Sequence, residues 1–134
     1  MKKFYLILLC LLIAITCKRK WKEFSSPEAN NPPDAPVISG PDSAQVNDTV
    51  TFTASATDPD ENDVAIRFSW GDGDTSSWSP YVSSGHSISM SHIYISTGTY
   101  YVKAQAKDEN GALSGWSSAH QIVIFQIGWI YGGS

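Results

Sequence analysis

Acidic side chains crowd two short stretches of the chain. Asp58, Asp60, Glu61 and Asp63 all fall within residues 58–63, and Asp108 and Glu109 precede Asn110-Gly111. Carboxylates held together repel one another unless a cation sits among them, and their hard oxygens suit Ca2+. The same residues also serve as turn-formers in a solvated loop, because an Asp side chain bonds its own backbone two residues on. The first stretch lacks the Asp-x-Asp-x-Asn-Gly pattern and distal glutamate of an EF-hand. Trp78, Tyr81 and Trp116 offer rings that stack on sugars if they share an exposed face, or else fill space between sheets. His86, His92 and His120 are scattered, and a structural hydrogen bond suits His92 better than catalysis. No serine or cysteine sits in a recognisable nucleophile motif beside a base. The chain therefore reads as non-enzymatic.

The elements that must position these side chains read as strands. Residues 49–57 put Val50, Phe52, Ala54 and Ala56 on one face, and residues 64–70 do the same with Val64, Ile66, Phe68 and Trp70, the period of two that marks a half-buried strand. Ile88, Met90, His92 and Tyr94 alternate in the same way, as do Tyr100, Val102, Ala104 and Ala106. Residues 37–40 open the pattern, with Gln45-Val46 continuing the same edge beyond Gly40-Pro41, and residues 121–125 close it. Residues 78–82 fit an edge strand, since Pro80 has no N–H to give a ladder. Trp70-Gly71-Asp72-Gly73-Asp74 predicts a tight turn in which Gly71 and Gly73 are free to adopt positive φ. Asn110-Gly111 predicts a hairpin turn, and Ser114-Gly115-Trp116 a bulge. No stretch after Cys17 has a helical period.

Seven short strands of this spacing imply an all-β, immunoglobulin-like seven-stranded sandwich. In that architecture the 58–63 turn, the 108–111 turn and the entry to the first strand share one end. Asp58, Asp60, Glu61 and Asp63 are thus expected near Asp108 and near residues 31–34, while Asp72 and Asp74 fall at the opposite end and read as turn-formers in preference to ligands.

The body from about Ala35 to Phe125 resembles the PKD (polycystic kidney disease) domain family. The likeness rests on Asp58-Pro59-Asp60, Trp70-Gly71-Asp72-Gly73, His92-Ile93-Tyr94, Gly98-Thr99-Tyr100-Tyr101-Val102 and Asp108-Glu109-Asn110-Gly111, in that order. Where the family usually has Trp-Asp-Phe-Gly-Asp-Gly, Gly71 here follows Trp70 directly. The resemblance implies an extracellular module without catalysis of its own, acting as a spacer or in protein–protein and protein–carbohydrate contacts. Some members bind calcium through matching loops, which implies Asp58, Asp60 and Asp108 as the ligands. An accessory carbohydrate-binding domain serving a separate secreted hydrolase is the alternative reading.

The flanks speak to location. Met1-Lys2-Lys3, an apolar run from Phe4 to Ile15, and Ala14-Ile15-Thr16-Cys17 resemble a bacterial lipoprotein signal peptide, which implies lipidation at Cys17. A plain secretory signal with an incidental cysteine is the alternative. Residues 1–17 are thus the signal, 18–35 a basic and proline-rich linker, 36–125 the sandwich and 126–134 an apolar tail. The expected site is extracytoplasmic, on the bacterial cell envelope or secreted. The expected partners are a membrane through the anchor, and a protein or polysaccharide. A net charge of −4 without a basic cluster in the body argues against nucleic acid. Both cysteines, Cys10 and Cys17, lie in the N-terminal segment, so no disulfide staples the body.

Overall fold

The computed structural model describes residues 26–128, so the signal peptide, Cys17, the basic run 18–22 and the tail beyond Gly128 lie outside the described residues. The described chain forms seven strands and no helix: β1 (Val37–Ser39), β2 (Ser43–Gln45), β3 (Thr49–Ser55), β4 (Val64–Ser69), β5 (Ser87–Ile93), β6 (Gly98–Asp108) and β7 (His120–Phe125). They make two sheets, a three-stranded β1-β3-β5 and a four-stranded β2-β7-β6-β4. The expected seven-stranded sandwich is therefore the fold.

Two strand assignments differ from the sequence reading. Residues 43–45 do not continue the edge begun by β1. Gly40-Pro41 breaks the strand, and β2 crosses to the other sheet to pair parallel with β7. Residues 78–82 run along the free edge of β4 but form no strand. Val64 and Val82 exchange backbone bonds of 2.8 and 2.9 Å. Further along, however, serine hydroxyls stand where carbonyls would have to accept, so no ladder propagates.

The alternating faces meet as predicted. Phe52 of β3, Ile66 and Phe68 of β4, Val102 of β6 and Ile122 of β7 are fully buried between the sheets. At one end of this core a column of rings joins the layers. Trp70 stacks on Phe68 at 5.1 Å and on His92 at 4.8 Å, and His92 meets the edge of Tyr94. The buried Tyr94 hydroxyl donates to the Trp70 carbonyl at 2.8 Å, a hydrogen bond from one sheet to the other. Gly71 follows at φ +85°, and a Cβ there would sit 2.7 Å from the backbone nitrogen of Tyr101. The turn can therefore press against β6 only because it is glycine.

Removing the Tyr94 hydroxyl leaves a buried carbonyl without its donor, at a cost of about 1–3 kcal/mol. Tyr94→Phe is expected to lower the melting temperature by several degrees, at roughly 4–8 °C per kcal/mol for a domain of this size. Thermal unfolding followed by circular dichroism checks it, and an unchanged midpoint would remove this bond from the account of the fold.

Candidate binding and metal sites

At one end of the sandwich the acidic turns meet the linker. Asp58, almost fully buried, accepts the backbone N–H of Asp60 (2.9 Å) and of Asn62 (3.2 Å) on Oδ1. Asp108, fully buried, accepts the Ala112 N–H on Oδ1 and the Asn30 side-chain amide on Oδ2, each at 2.8 Å. Exposed Asp60 receives the backbone N–H and the side-chain amide of Asn31 at 2.6 and 3.1 Å. The Asn30 side-chain Oδ1 in turn accepts the side-chain amides of Asn62 (2.9 Å) and Asn110 (2.8 Å). Asp58, Asp60 and Asp108 are thus gathered at one end with the linker, and most of their oxygens are satisfied by amide donors.

One atom departs from that pattern. Asp58 Oδ2 is buried and, among the described residues, has no hydrogen-bond donor. A buried carboxylate oxygen without a partner is costly and suits a cation. Among the described residues the carboxylates of Asp58, Asp60 and Asp108 do not converge on one point: the group of three such donors within 4.8 Å of one another is Asp72, Asp74 and His92. The amides of Asn30 and Asn31 already serve Asp108 and Asp60.

Asp72 and Asp74 lie at the far end with His92, and one donor atom from each of the three lies within 4.8 Å of the others. The group has a structural account. Asp72 Oδ1 accepts the Asp74 N–H at 3.0 Å, closing the turn, and Oδ2 lies 2.6 Å from His92 Nε2. Burial pushes the Asp72 carboxyl up, but the His92 hydrogen bond, the Asp74 N–H and the His92 charge outweigh it and hold the group below its ordinary value. Burial, with the Asp72 charge and Tyr100 adding, pushes the Tyr94 hydroxyl well above its own.

The third constellation lies on the outer face of the four-stranded sheet. Trp78, Tyr81 and Trp116 are brought together there, but through cations that the sequence reading did not single out. The Arg67 guanidinium sits 4.7 Å from the Trp78 ring and 5.3 Å from Trp116. The Lys107 ammonium sits 4.7 Å from Trp78 and 5.9 Å from Tyr81. The result alternates along Tyr81, Lys107, Trp78, Arg67 and Trp116. Gln105 fixes the centre: its Oε1 accepts from Arg67 Nη2 (2.8 Å) and Nε (3.2 Å), and its Nε2 donates to the Ser114 carbonyl.

What aims both tryptophans at this face is a repeat, Ser76-Ser77-Trp78-Ser79 and Ser114-Gly115-Trp116-Ser117. Each serine hydroxyl accepts a strand N–H: Ser76 from Phe68, Ser79 from Ile66, Ser114 from Ala106 and Ser117 from Ala104, at 2.8–2.9 Å. Each serine N–H returns a bond to the carbonyl of that same strand residue. The segment 114–117 is thus a second strap along β6, and the sheet has no bulge there. The repeated Ser-x-Trp-Ser was the sequence signal that could have found this.

Ser79→Ala or Ser117→Ala leaves a buried N–H of Ile66 or Ala104 unpaired, a loss of about 1–3 kcal/mol each. Hydrogen exchange at those two amides is expected to accelerate selectively in the respective variants. Uniform acceleration across the domain would mean that the serines act only on global stability.

The comparisons agree with this architecture. The family model for the PKD domain matches residues 35–120. The PKD domain of an M14-like peptidase from Thermoplasmatales archaeon SCGC AB-540-F20 is 33% identical, with a TM-score of 0.67 over 72% of this chain and 98% of that one. A CARDB domain from Pyrococcus furiosus shares the fold at 17% identity, with a TM-score of 0.52 over 75% of this chain and 95% of that one. No curated protein sequence matches the chain. With 35–120 matched and the sandwich formed, this chain belongs to the PKD domain family.

Proposed function

We propose that the protein is a non-enzymatic, extracytoplasmic module, anchored to a membrane at Cys17, that holds a binding face away from the surface for protein or polysaccharide contacts. The observation that carries this reading is the fastening of the linker. Asn30 and Asn31 bond to both acidic turns, Asp34 donates its N–H to the Thr57 carbonyl at 2.8 Å, and Pro33 and Pro36 are buried. A spacer keeps its cargo at a set orientation only if the joint between stalk and domain is stiff, and this joint is tied at several points. Metabolic labelling with palmitate tests the anchor. Wild type is expected to incorporate label and Cys17→Ser to lose it, and equal labelling would end the lipoprotein reading.

Ca2+ belongs to the same proposal. The oxygen of Asp58 that has no donor favours a cation bound by Asp58, with Asp60 and Asp108 as further ligands once Asn30 and Asn31 yield. A ligand that binds only the folded state stabilises it by about 2.7 kcal/mol at a hundredfold excess over Kd. The melting temperature in millimolar Ca2+ is expected to exceed that in EGTA by roughly ten degrees, and Asp58→Asn to abolish the difference. Equal midpoints in both buffers would leave the aspartates as turn-formers held by amides.

The second reading, an accessory carbohydrate-binding domain serving a separate hydrolase, is favoured by the outer face. Tyr81 and Trp116 are 45% and 41% exposed there, at the two ends of the ring–cation row.

A further inference from the structure

Residues 26–128 contain three basic side chains, Arg67, Lys103 and Lys107, against twelve aspartates and glutamates. All three lie on one face of one strand pair. In the β4–β6 register Arg67 stands opposite Gln105, Ser69 opposite Lys103 and Ala65 opposite Lys107. The side chains at 103, 105 and 107 share a face of β6 because strand side chains alternate. Among the described residues none of the three cations has a carboxylate within ion-pairing distance, since the ion pairs there join histidines to aspartates. An acidic domain has therefore collected its positive charge on one side and left it unpaired.

The central cation is also fixed. A guanidinium has five N–H donors, and Arg67 gives two to Gln105. The remaining donors have no protein acceptor among the described residues. Because Gln105 and the two indoles already hold the group, an incoming anion need not order it, which lowers the cost of binding. Lys103 and Lys107 stand roughly 13 Å apart along β6, at about 3.3 Å per residue, with Arg67 between them on the neighbouring strand. Tyr81 and Trp116, exposed rings that each have a single cation beside them, bracket this array.

We infer that this face binds a linear polysaccharide bearing carboxylate groups, a uronic-acid polymer. The inference rests on the carbohydrate reading above and narrows it from sugars in general to anionic ones. Carboxylates repeated along the ligand meet Lys103, Arg67 and Lys107, and sugar faces meet the exposed rings. A narrow chain fits better than a charged plane. Pressing the whole face onto an anionic membrane would also bring up exposed Glu109, two residues from Lys107. The Trp78 ring, half-buried with two cations over it, is not free to insert into lipid.

The test uses the full chain in non-ionic detergent, run in native gels containing polygalacturonate, alginate, or uncharged dextran and hydroxyethylcellulose. Retardation is expected in the two anionic gels only. The Lys103→Gln/Lys107→Gln variant is expected to weaken it about tenfold, equivalent to about 1.4 kcal/mol, and salt at about 0.5 M to suppress it. Arg67→Gln should weaken it further. Because that change also frees Gln105 and both indoles, Lys103→Gln alone, at an exposed site, supplies the control for folding. Equal retardation by uncharged glycans would overturn the charge selection and leave the carbohydrate reading standing. No retardation in any gel would overturn both. Vesicles of phosphatidylglycerol and phosphatidylcholine that capture the chain through Lys103 and Lys107, with no retardation in the gels, would assign the face to a membrane and overturn the inference.

Discussion

A sheet edge inside a protein must have its N–H and C=O groups answered, and that constraint organises this molecule. β4 has β6 on one side and no strand on the other. The second half of β6 has β4 on one side and again no strand on the other, because β7 pairs only with its first half. Buried backbone groups left unpaired there would cost more than a small domain can lose. The answer is the same at both edges. A strap carrying Ser-x-Trp-Ser lies along the strand, and each serine makes two bonds to one strand residue, hydroxyl to N–H and N–H to carbonyl. Each hydroxyl also donates to the carbonyl of the residue after it, so its own proton is used.

The outer face follows from this edge chemistry. With serines facing the strand at either end of the motif, the tryptophan between them turns over the sheet. Both indoles then converge on Arg67, the side chain that projects from β4 between the straps. The cation–aromatic row is a consequence of capping two edges with the same device, and the chemistry of the face is inseparable from the stability of the sheet. At the acidic end the logic differs. Amides from Asn30, Asn31, Asn62 and Asn110 stand among the carboxylates and their neighbours, so the negative charge is met by dipoles that also carry the linker.

Much of the fold was legible because burial alternates with a period of two. Val50, Phe52 and Ala54, or Val102, Ala104 and Ala106, announce their inward face directly. The meeting of the two acidic turns with the linker followed from topology alone. Three things were not legible. The transfer of residues 43–45 to the second sheet depends on a parallel pairing of three residues, too short to leave a pattern. The straps hide because they satisfy the strand with a period of three against its period of two, which matches neither a strand nor a helix template. The roles of Arg67 and Lys107 were hidden for a different reason. Each looks like an ordinary outward-facing strand residue until segments distant in sequence lay rings beside it.

The parallel pairing of β2 with β7 also has a mechanical meaning. These strands stand close to the two ends of the domain, and in a parallel pair Gln45 lies beside Phe125 and Ser43 beside Val123. Tension applied to the chain before β2 and after β7 slides the two strands lengthwise past each other. Their bonds then bear the load together, in shear, whereas a hairpin pulled at its open end yields rung by rung. Along the same line of force the Asn30 and Asn31 contacts, and then the three-residue pairing of β1 with β3, come before that pair.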